Sequence, residues 1–401
     1  MTYVKDYVSL GKELLAILND HGYDAYFVGG FVRDFLLGIP ISDIDIASSA
    51  TPDQVMALFE NTKETGLKFG TITIVYHDFA FEVTTFRSDG KYQDNRHPTN
   101  VIYSQTLAED LVRRDFTINA LAMDKDGKII DFCEGINDIK QKRIRAVGNP
   151  DVRFKEDALR ILRAFRFVAK LDFQIEDSTW KHLVANCGLL KTISVERIMQ
   201  EIKSINNNPY SAKAFKLMDA ANISLVFPDL TKGIALIGSL SKNPFNHYQF
   251  YALCFYLNDG EIADYWRFSN KEHLIISKLI NLVTVTEHEH FQVELVYAYG
   301  ADLCRYANSI QKILRLGFDD DALIQEIDKN LPIHKVCDLK FKGQDIITTS
   351  NIKDARIIGE IISDLVLMVI NNQLPNEYQA LRTYAFDWIA KFEGKAVAHD
   401  K

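Results

Sequence analysis

An apolar run of four residues, Ala25, Tyr26, Phe27 and Val28, stops at the pair Gly29-Gly30, and residues 31–37 then carry apolar side chains at helical spacing. The layout is strand, glycine turn, helix. Just beyond it, Asp43, Ile44, Asp45 and Ile46 alternate acid with aliphatic. On one short extended strand, Asp43 and Asp45 share a face while Ile44 and Ile46 turn into a core. Neighbouring carboxylates repel, and a hard divalent cation with oxygen ligands relieves the repulsion, which makes magnesium the natural ion. A lone pair of aspartates on a strand edge is usually just solvated. Here the glycines upstream let backbone N–H groups approach a phosphate at a helix N-terminus, and Arg33 adds a forked, permanently charged donor. The two halves together predict a metal–triphosphate site, with Asp43 and Asp45 as catalytic acids and metal ligands and with Gly30 and Arg33 on the phosphates.

Three later blocks follow in order: Arg113-Arg114-Asp115 before the apolar residues 116–122, Asp131 through Gly135 with Asp138, and Glu156-Asp157 with Arg160, Arg163 and Arg166. Wound as a helix, the last block places Ile161, Leu162, Phe165 and Val168 on one side and the arginines on the other, so one side packs and the other recognises. Pairing with nearby carboxylates such as Glu156 is the plainer role for those arginines. Asp115 reads equally well as an N-terminal cap of a helix over 116–122.

With these blocks, the chain resembles the nucleotidyltransferases of the polymerase β superfamily, in the form carried by bacterial class II tRNA nucleotidyltransferases, the CCA-adding enzymes, and by bacterial poly(A) polymerases. A further stretch, Ile193-Ser194-Val195-Glu196-Arg197-Ile198, is similar to the last motif of that family's helical neck. The resemblance implies an α+β nucleotidyltransferase head (1–150), then an all-α neck (151–206), body (207–290) and tail (291–401). It also implies addition of C, C and A to the 3′ end of tRNA from CTP and ATP. The primer hydroxyl attacks the α-phosphate, pyrophosphate leaves, and two magnesium ions on Asp43 and Asp45 assist. Arg114 is placed beside the incoming nucleotide.

Cytosine and adenine both show an exocyclic amino donor beside a ring-nitrogen acceptor, whereas guanine and uracil show the reverse. A carboxylate with a guanidinium therefore accepts the first pair of bases and leaves buried groups unpaired against the second. The family's Glu-Asp-x-x-Arg motif assigns this role to Asp157 and Arg160, with Arg163 and Arg166 supporting them or touching the triphosphate. Bacterial poly(A) polymerases usually carry a basic stretch where this chain has Gly66-Leu67-Lys68-Phe69-Gly70, which favours CCA addition. A poly(A) polymerase, a CC- or A-adding enzyme and a silent RNA-binding relative stay as alternatives.

Residues 8–18 read as an amphipathic helix. Residues 71–76 and 79–86 read as strands joined at His77-Asp78, with Phe79, Phe81 and Val83 on one face. Glu82 then points the other way, either as a third carboxylate near the metals or as an ordinary exposed glutamate. The polar run 89–100 reads as a mobile loop, which in this family accompanies full CCA activity. After about residue 150 the pattern is helical almost throughout, broken at Asn206-Asn207-Asn208-Pro209.

A net charge of −8 weighs mildly against indiscriminate nucleic-acid binding, yet nine cations fall within residues 140–166. Five cysteines without Cys-x-x-Cys spacing suggest neither zinc nor disulfides. His288-Glu289-His290 lacks a complete ligand set. With no run of membrane-spanning length and no secretory pattern, the expectation is a cytoplasmic enzyme without a membrane partner. A homodimer is left open.

Overall fold

A computed structural model describes residues 2–399 apart from 42, 90–100, 105, 224–225 and 351. Most of the polar run expected to form a mobile loop therefore lies outside the described residues. The chain divides into two compact units, Met1–Asn243 with Ala263–Arg267, and Pro244–Ile262 with Phe268–Lys401.

The first unit begins with α1 (Thr2–Asp20), β1 (Ala25–Val28), α2 (Gly30–Leu37), β2 (Asp45–Ser48), α3 (Pro52–Leu58) and β3 (Thr62–Gly66). The hairpin β4 (Thr71–Tyr76) and β5 (Phe79–Thr85) follows. Its two-residue turn, His77 and Asp78, has φ of 47° and 66°, the primed geometry whose twist suits paired strands. A small ribbon, β6 (Arg87–Asp89) with β7 (Val101–Tyr103), leads to α4 (Leu107–Val112), β8 (Leu121–Met123), β9 (Ile129–Asp131), α5 (Gly135–Lys140) and β10 (Arg143–Ile144).

Seven strands form one mixed sheet in the order β3-β4-β5-β2-β1-β8-β9. Every pairing is antiparallel except β2 with β5. That parallel register sets Asp45 directly opposite Glu82. The alternation read from sequence is visible in the burial: Ile44, Ile46, Phe81 and Val83 are all within 1% of complete burial. Phe27 and Phe31 pack nearby as a tilted ring pair with centroids 4.8 Å apart.

The helical part of this unit comprises α6 (Pro150–Glu156), α7 (Leu159–Leu171), a two-residue strand β11 (Gln174–Ile175) beside β10, α8 (Asp177–Asn186), α9 (Val195–Asn206), α10 (Ser211–Ala220) and α11 (Thr231–Ser239). Ile161, Leu162, Phe165 and Val168 on α7 are completely buried, as their helical spacing requires. Helix α9 packs on α7 through Ile198, Ile202 and Ile205, and the asparagine breaker separates α9 from α10.

The second unit is helical: α12 (His247–Leu257), α13 (Asn270–Val285), α14 (Val293–Tyr299), α15 (Ala301–Leu314), α16 (Asp321–Asn330), α17 (Gly343–Thr349), α18 (Ala355–Ile370) and α19 (Tyr378–His399). Capping boxes at Asn246 and Ser269 start α12 and α13. Phe250, Phe255, Ile276, Leu282 and Ile310 form its interior. His290 donates to or accepts from Asp320 at 2.9 Å and stacks on Phe318, so the His-Glu-His segment is tied into packing.

Candidate functional site

A cleft of about 720 Å³ in the first unit is lined by Gly30, Arg33, Asp45, Glu82, Arg114, Asp157, Arg160, Arg163 and Arg166, among others. It joins the central strands β1, β2 and β5 and helix α2 to helices α7 and α9. Asp43 is not among its lining residues. It precedes β2, which begins at Asp45, so the two acids do not share one regular strand as the alternation predicted. Asp43 is exposed and Asp45 is half-buried, with buried Ile44 between them.

Burial pushes the Asp45 carboxyl above the usual aspartate range, and Glu82 adds to the rise; Arg114 opposes it, Asp43 again raises it, and Arg33 lowers it. This is the electrostatic signature of an acid whose charge is incompletely compensated. Among the described residues no three acidic, histidine or cysteine side chains form a closed metal cage. An oxygen-only donor set of one or two carboxylates, left open to substrate phosphates, is the arrangement that suits magnesium; Asp45 and Glu82, opposite each other in the cleft, could supply it, with exposed Asp43 two residues before Asp45.

Gly29 has φ +69°, and a Cβ there would meet Arg114 Nη1 at 2.7 Å and Asp45 Oδ2 at 3.9 Å. Only glycine lets the guanidinium lie across this turn next to the acids. Arg114 is held from behind by Asp110, which accepts its Nη2 at 2.9 Å and also takes Arg113 Nε and Nη2 at 3.0 and 2.7 Å. Asp110 is fully buried, and although burial raises its pKa, the Arg114 and Arg113 guanidiniums outweigh that and hold it below the usual range. Its i,i+3 and i,i+4 spacing to those arginines was readable in the sequence, though its role was missed.

Arg33 is 3% exposed and its donors are in use: Nε on Asp34 Oδ1 at 2.8 Å and Nη1 on Asn119 Oδ1 at 2.5 Å. Its guanidinium lies 5.2 Å from the Phe167 ring centroid. Arg163 and Arg166 approach the same ring at 5.7 and 5.2 Å, so one aromatic ring sits amid three cations. Lys170 reaches Asp34 Oδ2 at 2.9 Å on the same wall.

Asp115 is not a helix cap. Residues 116–122 form a short 3₁₀ turn, Thr117–Asn119, followed by β8, and the turn has no side-chain cap. Instead Asp115 accepts from Phe116 N at 2.8 Å, Asn119 Nδ2 at 3.0 Å and Arg163 Nε at 2.7 Å. Burial raises its pKa, but Arg163 and these hydrogen bonds prevail and hold it far below the normal range.

Asp157 and Arg160 do not lie on one continuous helix. Helix α6 ends at Glu156, Asp157 is extended (φ −142°, ψ 102°), and α7 starts at Leu159. Arg160 Nη1 donates to Glu156 Oε2 at 2.7 Å and to Arg153 O at 3.1 Å, and its Nη2 donates to Arg113 O at 3.2 Å. Asp157 Oδ1 accepts from Leu159 N at 3.0 Å, and Oδ2 accepts from Arg197 Nη2 at 3.1 Å. Arg166 Nη1 meets Glu201 Oε1 at 3.4 Å. Burial pushes the Glu201 carboxyl up despite Arg166 and Arg163, and burial with the neighbouring Arg163 lowers Arg166. Arg197, Glu201, Asn119 and Phe167 are thus site or supporting residues that sequence reasoning did not single out.

Residues 25–145 match the family model "Poly A polymerase head domain", 172–234 match "Probable RNA and SrmB- binding site of polymerase A", and 250–385 match "tRNA nucleotidyltransferase domain 2 putative". A CCA-adding enzyme of Streptococcus pyogenes is 36% identical over 94% of this chain and 96% of its own. One from Ligilactobacillus salivarius is 37% identical over 92% and 93%. The crystal structure of the Bacillus stearothermophilus CCA-adding enzyme in complex with CTP superposes with a TM-score of 0.86 at 31% identity, covering 96% of this chain and 98% of that one.

Proposed function

We propose, of a chain that belongs to the family of CCA-adding enzymes, that it builds and repairs the 3′-terminal CCA of tRNA from CTP and ATP by nucleotidyl transfer without a nucleic-acid template. The observation that supports this reading best is the cleft itself. Asp45 and Glu82 form an acidic side, and opposite them is a wall of guanidiniums that also contains two carboxylates, Asp115, which is tied to Arg163, and Asp157.

Asp43 and Asp45, with Glu82 as a third carboxylate, are the residues that hold magnesium. When bound there, the metal would supply Lewis-acid charge toward the primer hydroxyl and the triphosphate. Gly30 and the start of α2 present backbone N–H groups to phosphate. Arg33, Arg114, Arg163 and Arg166 surround it with positive charge already oriented by ion pairs, so little reorganisation is needed when the transferring phosphoryl group gains charge. Asp157 accepts from the amino group of C or A, and Arg160 supplies the guanidinium toward the ring nitrogen.

In this reading 1–150 is the catalytic head, 151–206 the base-reading neck, and 207–290 and 291–401 the body and tail that grip tRNA by shape and backbone charge. The enzyme works in the cytoplasm, and a homodimer is the assembly to look for by light scattering. Purified protein with magnesium, tRNA lacking its terminal residues, and CTP with ATP is expected to yield a single C, C, A addition. A long A tail reassigns the chain to poly(A) polymerase, a product ending after C, C or requiring a preformed C, C end reassigns it to a partial activity, and no extension rejects the reading.

A further inference from the structure

The base-reading role given to Asp157 raises the question of what holds its carboxylate in place, since it sits in an extended break between two helices and not on a helix. Leu159 N fixes one oxygen, and the other accepts from Arg197, 40 residues along the chain on α9. Arg160 is engaged with Glu156 and with two backbone carbonyls. Arg197 also lines the cleft, and its second terminal nitrogen, Nη1, is buried without a hydrogen-bond partner. A buried donor left without an acceptor is costly, so Nη1 marks a point beside Asp157 where a bound molecule would complete the pairing.

We propose that Arg197 is the positioning residue for base selection: it clamps the Asp157 carboxylate in the orientation that accepts an amino hydrogen, with its spare Nη1 available to the same nucleotide. The proposal rests on the base-reading role of Asp157. It divides α9 into two functions one helical turn apart. Arg197 serves the base through Asp157, whereas Glu201, four residues on, serves the phosphates through Arg166. Without the clamp, Asp157 swings among rotamers and loses the geometry that separates C and A from G and U.

The experiment measures kcat/KM for CTP, ATP, UTP and GTP on tRNA lacking its end, for the wild type and for R197A, R197Q, E201Q and D157A. Thermal melts select the variants that fold, and R197Q, shorter but still a polar donor, covers the case in which R197A does not. The expected result is that R197A and R197Q lose roughly ten- to hundredfold in preference for CTP and ATP over UTP and GTP. Added methylguanidinium recovers part of that preference in R197A, while E201Q changes KM for all four nucleotides by one common factor. Arg197 variants that slow all four nucleotides equally, or that discriminate like the wild type while D157A does not, overturn the proposal. A D157A protein that still discriminates removes the premise itself, a separate outcome from failure of the clamp.

Discussion

The central strands of the sheet and the helical wall of the cleft both contain buried or half-buried acids, yet their electrostatics run in opposite directions. On the sheet, Asp45 meets Glu82 and Asp43, and burial with those neighbours raises its pKa. On the wall, Asp110 and Asp115 are more deeply buried but are matched with Arg113, Arg114 and Arg163, which hold them low. Burial alone therefore does not mark a functional acid. The wall acids are satisfied within the fold and orient arginines, whereas Asp45 is left with a charge that the fold disfavours, which is the ground for assigning it to the proposed cation.

Replacing Asp45 breaks this contrast most directly. D45A should lower nucleotide addition by about a thousandfold or more, as expected when a metal ligand in the reaction centre is lost. The isosteric D45N should do the same while raising the melting temperature of the cation-free protein, because it removes a charge the fold disfavours; an unchanged or lower melting temperature would count against the electrostatic reading.

D115N should act in the opposite sense on stability. Removing one member of a buried ion pair costs about 3–5 kcal/mol, because Arg163 is left uncompensated. Denaturant unfolding measures this, and a cost under about 1 kcal/mol would show that Asp115 is no more than a surface pair.

The two acids also diverge with pH. For Asp45 the folded pKa is raised, so its contribution to cation-free stability is present below its unfolded pKa and disappears as pH rises through its folded one. For Asp115 the folded pKa is depressed, so its contribution is present above the unfolded value and is lost as pH falls toward the folded one. Comparing the pH dependence of unfolding free energy in D45N and D115N with the wild type, both without divalent cations, should reveal slopes of opposite sign.

A smaller effect is expected from F167L. Three guanidinium–ring contacts, each worth about 0.5–2 kcal/mol, space like charges on the wall. Losing them should raise KM for CTP and ATP by a similar factor of roughly three to thirty. A change confined to one of the two nucleotides would place Phe167 at the base instead.

Much of this site could be read from short-range pattern. The strand–glycine–helix order, the buried alternation of Ile44 and Ile46, the hairpin at His77-Asp78 and the packed side of α7 follow from local periodicity. Less could be read where long-range pairing decides. Periodicity extended β2 back to Asp43 because it does not report where ladder pairing with β5 ends. It ran α7 through Asp157 because a one-residue extended break leaves the helical spacing of Arg160, Arg163 and Arg166 undisturbed. Asp115 looked like a cap because its partner Arg163 is 48 positions away, and the link from Arg197 to Asp157 spans 40.

The most direct measurement is Mn²⁺ binding by electron paramagnetic resonance, with Mn²⁺ standing in for magnesium, across the pH range in which the protein stays folded, for the wild type and D45N. Wild-type affinity should rise with pH as the Asp45 proton is displaced and then level off, and D45N should bind weakly with no such rise. Equal affinity and the same pH profile in both proteins would contradict the assignment of Asp45 as the acid that a cation completes.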